Sequence, residues 1–346
     1  MIHSNIAICI PSYGLRSRKL LDSMFNDNKI LCEKYDVILF LSNSDPKLND
    51  YYSLYNDYYS IDNYNNIHIE KCDANNIAEK REFIKNYCVN NDYKYMVMID
   101  DDLETYVKKI DAASKRTTSD SYRSYKTTYD ELMQVFLNEF KNNNQLGLVT
   151  CKMATYIGFS EPGQRCVNKN LSVGWLYMYD VDVFRNNEDL KYDITYSIVE
   201  DVDMAIRVLR HGISCMSVCD YGFVTCAVDS SIHVDDVERN MKDIRTAAKY
   251  NLPIKINRYD NLQLKIPYED FYAGNDVHKP KDTWERSLFE MLQKNPTYDD
   301  VKEFVKNKKN FKKKKLALFK MLQKNPTYDD VKEFVKNKKN FKNKKL

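Results

Sequence analysis

Short runs of almost wholly apolar residues alternate with helical segments in the first part of this 346-residue chain. Residues 5–10 (NIAICI), 36–42 (DVILFLS) and 95–99 (YMVMI) lack the polar alternation of a strand with one solvated face. Such runs are typical of strands that are buried on both faces of a parallel sheet. Residues 76–90 (NIAEKREFIKNYCVN) place apolar side chains at helical spacing before the last run. The pattern predicts an α/β, Rossmann-like fold with a mostly parallel central sheet.

The middle of the chain continues this alternation. Residues 132–142 and 200–211 have helical patterns, and the second of them is clearly amphipathic. Residues 147–153 and 174–179 are apolar enough to be predicted as further strands. Residues 103–131 are polar and weakly patterned, and we predict a helix and a loop there.

Composition excludes several classes of protein. No stretch approaches the roughly 18 apolar residues of a membrane span, and the N-terminus does not have the pattern of a secretory signal. Nine cysteines are scattered, several of them inside apolar runs, as expected of reduced core thiols. The closest group, Cys215, Cys219 and Cys226, does not have the spacing of a zinc ribbon. We therefore expect a cytoplasmic protein.

The C-terminus is a basic tandem repeat. Leu288–Leu316 recurs as Leu318–Leu346 with two differences, and each copy has the pattern of two short helices around an Asn-Pro-Thr turn. Residues 289–346 hold 18 lysines against seven acidic residues, a net charge of +11, which leaves −8 on the preceding 288 residues. A basic tail on an acidic body predicts contact with a polyanion. We predict one large domain over 1–280, a linker over 281–287 and the helical repeats over 288–346.

Three consecutive aspartates, Asp100, Asp101 and Asp102, end the strand predicted at 95–99. Carboxylates at the carboxyl end of a parallel strand face the crevice in which α/β sheets bind ligands. Asp100 and Asp102 point to the same side of an extended segment, where they repel each other unless a cation joins them. Mn²⁺ or Mg²⁺ would remove that repulsion and would also bind a substrate diphosphate. The alternative is an acidic turn that caps a following helix.

Further elements follow in a recognisable order. A Pro-Ser-Tyr-Gly-Leu-Arg turn comes after the first strand, and Asn76–Arg81 opens the helix before the aspartates. Glu200 and Asp201 begin the amphipathic helix, and His233 follows 32 residues after Asp201. Over residues 5–235 this order resembles the glycosyltransferase A (GT-A) fold of nucleotide-sugar transferases. The IPSYGLR and NIAEKR segments look most like the TET/JBP-associated family, whose members glycosylate hydroxymethylated pyrimidines in DNA.

The resemblance implies roles for individual residues. The nucleotide pocket would be lined by Pro11, Ser12, Tyr13 and Arg16, with Asn43 or Asp45 at the base or ribose. Arg81 would neutralise diphosphate charge, although an ordinary helix-surface arginine is the alternative. The diphosphate and ribose would be held beside Asp100 and Asp101, and the metal by Asp102 and His233. A structural role is the alternative for His233.

Asp201 is the predicted catalytic base. An inverting transfer needs one carboxylate to take the proton of the acceptor hydroxyl as the anomeric carbon is attacked. A position at a helix N-terminus keeps such a carboxylate ionised and oriented. Glu200 could act instead, or could orient Asp201. Gly174 and Trp175 could form the wall that faces the acceptor, although an ordinary core tryptophan is the alternative for Trp175.

The resulting hypothesis is a metal-dependent, inverting glycosyltransferase. It would move glucose from UDP-glucose, the default donor of the resemblance, to a hydroxymethylpyrimidine in double-stranded DNA held by the basic repeats. Such an enzyme would act in a phage-infected or viral host cell. One alternative is the same chemistry on a surface glycan or protein, with the tail against membrane phosphate groups. The other is a non-catalytic scaffold that binds nucleic acid.

Overall fold

The computed structural model describes residues 5–17, 20, 33–53, 56, 67–110, 124–154, 167–169, 176–195, 199–225, 236–256, 260–275 and 277–307. The chain divides into two compact units. The first consists of residues 1–242 and 266–278, and the second of residues 243–265 and 279–346.

A ten-stranded sheet forms the centre of the first unit. Its strands are β1 (Ile6–Ser12), β2 (Asp36–Ser42), β3 (Ile67–Cys72), β4 (Tyr95–Ile99), β5 (Leu103–Ile110), β6 (Ser124–Thr127), β7 (Leu146–Met153), β8 (Val167–Lys169), β9 (Leu176–Asp180) and β10 (Ser214–Thr225). The spatial order is β3-β2-β1-β4-β9-β7-β10-β5-β6, and β8 pairs with β10.

The sheet is parallel where the apolar runs predicted it. β1 pairs in parallel with β2 and β4, and β2 pairs in parallel with β3. β9 runs antiparallel between β4 and β7, and β7 and β10 form a further parallel pair. Every residue of β1 and β2 is buried, as expected of strands covered on both faces. The predicted α/β fold is confirmed.

Helices connect and cover these strands. Those of the first unit are α1 (Ile77–Asn90), α2 (Tyr129–Asn142), α3 (Asp182–Arg185), α4 (Glu200–Arg210) and α6 (Tyr268–Tyr272), and α5 (Asp236–Tyr250) continues into the second unit. Local capping fixes where two of them begin. The Asn76 side chain accepts the Glu79 N–H at the start of α1, and Thr128 does the same for Glu131 at α2. Each cap satisfies a backbone donor that the helix itself leaves free.

The prediction for residues 103–131 was wrong where the structure describes them. β5 and β6 form an antiparallel pair with Lys108 opposite Lys126, and α2 follows them. Leu103 and Val107 are buried whereas Tyr106 and Lys108 are half-buried, so β5 is a half-buried strand. Its sequence, LETYVKKI, carries too few apolar residues to stand out beside the continuous runs of the parallel strands.

The second unit contains a small antiparallel pair, β11 (Ile254–Ile256) and β12 (Leu262–Leu264), and the helices α7 (Thr283–Leu292) and α8 (Tyr298–Lys306). Thr297 caps α8 in a reciprocal arrangement with Asp300, as the repeat pattern predicts for its first copy. Helix α7 begins at Thr283, inside the segment predicted as a linker. The second copy, Leu318–Leu346, lies outside the described residues.

The structure gives information on two points raised by the composition, the cysteines and the possibility of membrane-spanning helices. The six cysteines within the described ranges are all buried free thiols, as predicted for core positions. Among the helices of the described residues, none is long and apolar enough to cross a bilayer.

Gly147 in β7 lies against two side chains that leave no room for a methyl group. A Cβ at this position would clash with Cγ2 of Ile213 and would lie 2.7 Å from Cγ2 of Val183. We expect Gly147→Ala to lower the free energy of unfolding by about 1–3 kcal/mol, because a well-packed core resists an added methyl group. Urea denaturation measures the change.

Ile213→Ala supplies the control, because it removes the methyl group that clashes. The double variant should lose less stability than the sum of the two single variants. Additive losses would mean that the clash with Ile213 does not cause the destabilisation.

Candidate functional site

A cavity of about 470 Å³ opens at the carboxyl ends of β1, β2, β3 and β4. Strand order reverses between β1 and β4, and such a switch point is where open α/β sheets bind ligands. The lining residues come from the ends of these strands and from the start of α1: Pro11, Ser12, Tyr13, Arg16, Ser42, Ser44, Ala74, Asn75, Asn76, Ile77, Lys80, Arg81, Asp100, Asp101 and Asp102. Both the volume and the position are those of a small-molecule site.

The turn after β1 has a strained backbone. Gly14 and Leu15 both have positive φ, of 67° and 64°, a conformation that is unfavourable for leucine. The buried Tyr51 hydroxyl holds the turn, because it accepts the Leu15 N–H at 2.7 Å and lies 2.7 Å from the Ser12 hydroxyl. Strain of this kind persists only where surrounding contacts fix it, and it is common at ligand sites.

Asp101 connects the end of β4 to this turn. Its Oδ2 accepts hydrogen bonds from the Ser12 hydroxyl at 3.0 Å and from the Tyr13 N–H at 3.2 Å. Burial raises the pKa of Asp101, while the nearby Arg16 guanidinium and the bond from Ser12 oppose the rise. The Asp101 carboxylate therefore holds the β1 turn against the end of β4 and forms part of the cavity wall.

Arg81 bridges two carboxylates from distant parts of the chain. Its Nη2 donates to Oδ1 of Asp100 at 2.8 Å, and its Nη1 donates to Oε1 of Glu200. The side chain is almost fully buried, and its guanidinium carbon lies 5.7 Å from the centre of the Tyr177 ring. Burial raises the pKa of Asp100 to about 6, although the charge of Arg81 opposes the rise. Arg81 thus joins the end of β4 to the start of α4.

Asp102 has the most open carboxylate of the three aspartates. Its Oδ2 lies 3.2 Å from Nη2 of Arg16, which also lies 3.7 Å from Asp101. The Asp102 side chain is 31% exposed, compared with 18% for Asp100 and 10% for Asp101. The segment after Asp102 is β5, so the alternative of an acidic turn that caps a following helix does not hold.

The start of α4 combines a second strained residue with two acidic side chains. Val199 has φ of 67°, an outlier for a β-branched residue. Glu200 is buried against Arg81, whereas Oδ1 of Asp201 accepts the Val202 N–H at 2.7 Å. Burial raises the pKa of Asp201, and Arg81 opposes the rise. Within the described residues, Oδ2 of Asp201 has no hydrogen-bond partner.

The remaining predicted residues fall into two groups. Asp45 does not line the cavity: its two oxygens accept the Gly14 N–H at 2.9 Å and the Lys47 N–H at 2.8 Å, which braces the β1 turn. Asn43 is also absent from the lining, and Ser42 and Ser44 occupy that wall. The predicted positions outside the described residues are Gly174, Trp175 and His233.

Lys80 and Tyr51 are among the residues of the site and its supporting contacts that were not predicted. Lys80 is buried in the cavity wall, where its Nζ donates to the Ser12 carbonyl at 2.6 Å and burial lowers its pKa. A signal existed in the sequence, because Lys80 lies three residues after Ile77 and four before Ile84, on the apolar face of the helix. Tyr51 lies in a stretch rich in tyrosine and asparagine that offers no such periodicity.

Comparison with known proteins gives one family and solved structures that the chain resembles. The family model for TET-associated glycosyltransferases matches residues 27–231. The chain resembles the mannosyltransferase PcManGT of Pyrobaculum calidifontis in complex with GDP-Man and Mn²⁺, with 12% identity, a TM-score of 0.47, and coverage of 72% of this chain and 64% of that one. It also resembles residues 1–349 of S. aureus TarS in complex with UDP, with 10% identity, a TM-score of 0.48, and coverage of 88% and 91%. The chain thus spans less than two thirds of the mannosyltransferase. No curated protein sequence matches it.

Asp100 should make stability depend on pH in a defined window. Its pKa is raised from 3.8 to about 6 in the folded protein, so folding favours its protonated form. Its contribution is fully present below about pH 4 and is lost as the pH rises through about 6. Relative to wild type, Asp100→Asn should therefore gain about 2–3 kcal/mol of stability between pH 4 and pH 7.

Urea denaturation at several pH values, in EDTA, measures this difference. Glu188→Gln is the control, because it removes an exposed carboxylate that lies outside the cavity lining. If the free energy of unfolding of Asp100→Asn differs from that of wild type by the same amount at every pH, the predicted pKa shift of Asp100 is contradicted.

Proposed function

This chain belongs to the TET-associated glycosyltransferase family, and from that premise we propose that it transfers a sugar from a nucleoside diphosphate to a hydroxymethylated pyrimidine in DNA. The observation that carries the proposal is the cavity at the β1–β4 switch point. Its walls bring together Asp100, Asp102 and Arg16, and Arg81 connects it to Glu200 and the start of α4. Donor binding and acceptor activation can therefore take place side by side.

The donor nucleotide would occupy the part of the cavity beside the β1 turn. Tyr13 is 40% exposed and lines the cavity, so its ring is available to a base or ribose. Arg16 is partly exposed and contacts only the carboxylates of Asp101 and Asp102 among the described residues. It is the cation best placed to turn towards a diphosphate, because both terminal nitrogens of Arg81 are already bonded to carboxylates.

The charges of the site favour a divalent cation together with the donor. Five carboxylates (Asp100, Asp101, Asp102, Glu200 and Asp201) accompany three cationic side chains (Arg16, Lys80 and Arg81), a formal excess of two negative charges. Within the described residues, no three potential ligands are placed to hold a metal by themselves. Mg²⁺ sites commonly use one or two carboxylates and complete their shell with substrate phosphates, and the open Asp102 carboxylate fits that arrangement. A Mn²⁺ or Mg²⁺ ion bound there would act as a Lewis acid on the leaving diphosphate.

Asp201 would act as the general base. Its Oδ2 would take the proton of the acceptor hydroxyl while the hydroxyl oxygen bonds to the anomeric carbon and the nucleoside diphosphate leaves with the electron pair. The raised pKa of Asp201 suits this role, since it makes the carboxylate a better proton acceptor. Glu200 would position the base through Arg81 and would not touch the acceptor.

The test is a turnover assay with Mn²⁺, UDP-glucose and two duplexes that differ only in 5-hydroxymethylation of the pyrimidines. Labelling of the hydroxymethylated duplex alone would support the proposal, because the hydroxyl is the nucleophile. Release of UDP without labelled DNA would contradict the DNA acceptor and would favour a glycan or protein. If no nucleotide sugar of a panel is turned over, the proposal that the donor is a nucleotide sugar is contradicted as well.

Asp201→Asn should lower kcat by about 10²–10⁴-fold, the usual contribution of a general base. Because Asp201 does not line the donor cavity, the affinity for the nucleotide sugar should change little. Steady-state kinetics and donor titration separate the two quantities. An unchanged kcat would exclude Asp201 as the base. The exposed Asp189→Asn variant is the control.

A further inference from the structure

Two lysines lie directly opposite each other on the β5–β6 pair, next to an edge of the large sheet. Lys108 and Lys126 are register partners, and β6 is the edge strand. Like charges at directly opposed positions destabilise a sheet. Within the described residues, neither lysine has a carboxylate within ion-pair distance. Among the residues that the structure describes, the positive charge of this pair is therefore not balanced by a carboxylate.

An aromatic ring completes this surface. Tyr106 lies two residues before Lys108 and points to the same face of the strand. The Lys126 ammonium nitrogen lies 3.9 Å from the centre of the Tyr106 ring, a close cation–π contact. We name this surface, formed by Tyr106, Lys108 and Lys126, the hairpin basic face.

The next lysine of the same strand is different. Lys109 lies 2.5 Å from Glu131 and 5.1 Å from the centre of the Tyr221 ring, so its charge is balanced. The Glu131 contact raises the pKa of Lys109. In the described part of the hairpin, the lysines without an acidic partner thus lie on the other face of β5, which is the face that a polyanion could neutralise.

The hairpin basic face starts close to the candidate catalytic cavity. β5 begins at Leu103, immediately after Asp102. At about 3.3 Å per residue, Lys108 lies roughly 20 Å along the chain from Asp102. At 3.4 Å per base pair, that distance corresponds to about six base pairs of duplex.

We propose that the hairpin basic face binds the phosphate backbone of the DNA that carries the acceptor base. The identity of the polyanion rests on the proposed function. A phosphate between Lys108 and Lys126 removes their repulsion, and the Tyr106 ring offers a surface for a sugar or an unstacked base. Such contacts fix the position of the duplex without reading its sequence, which suits an enzyme that selects a modified base.

Lys108→Gln/Lys126→Gln tests the proposal in the full-length chain. Fluorescence anisotropy with a hydroxymethylated duplex should show binding weakened about tenfold or more, because each lost phosphate contact lowers the slope of log K against log salt by about 0.9. The expected loss of slope is therefore about 2. Lys47→Gln/Lys71→Gln removes the same charge near β3, the opposite edge of the sheet, and should leave the slope unchanged.

Lysines next to a sheet edge can also serve to prevent strand pairing between molecules. If they do only that, the double variant self-associates in size-exclusion chromatography and its monomer binds DNA with the wild-type slope, which would overturn the proposal. If the double variant fails to fold, Lys108→Gln and Lys126→Gln singly should each lower the slope by about 1. Wild-type slopes in both would again overturn it.

The two proposals fail in different ways. Wild-type protein that glucosylates the hydroxymethylated duplex, together with a double variant of equal DNA affinity, would overturn the hairpin basic face and leave the proposed function intact. Wild-type protein that neither binds nor labels any duplex would overturn both.

Discussion

The buried contact of Arg81 with Asp100 and Glu200 is the interaction on which the rest of the site depends. One guanidinium holds the end of β4 and the start of α4, which lie 19 and 119 residues away from it in the chain. Removing one partner of such a buried pair typically costs about 3–5 kcal/mol, because the remaining charge is left uncompensated. The same contact brings the segment of Glu200 and Asp201 next to the segment of Asp100 and Asp102. Arg81 therefore fixes the distance between the cavity and the proposed base, Asp201.

The three aspartates beside this bridge have different hydrogen-bond partners and different exposure. Asp101 is directed at the β1 turn by Ser12 and Tyr13, and Asp100 is directed at Arg81. Only Asp102 keeps a largely open carboxylate, with Arg16 as a partner that is itself partly exposed. Three neighbouring residues of one type thus obtain different neighbours. The first two shape the cavity wall, and the third has the most exposed carboxylate of the three.

The sequence was sufficient to predict what depends on local pattern. Residues 36–42 and 95–99 coincide with β2 and β4, because continuous apolar runs mark strands buried on both faces. β5 was missed because a half-buried strand carries only alternate apolar residues. The partners of Arg81 could not be predicted, since its ion pairs depend on which elements the fold brings together. Lys80 could have been predicted from the sequence, because a lysine on the apolar face of a helix is rarely buried unless it has a partner.

The distribution of basic residues bears on how a duplex could be positioned. Two of the lysines described in the first C-terminal repeat, Lys302 and Lys306, lie 3.2 and 3.0 Å from Asp260 of the same unit, so part of that charge is already balanced. The hairpin basic face belongs instead to the large sheet, whose strands β4 and β5 flank Asp102. A contact built on the same rigid element as the site controls geometry more closely than a contact on a separate unit. A second binding module adds affinity chiefly by raising effective concentration. The hairpin basic face is therefore better suited than the C-terminal repeats to the proposed positioning of a duplex.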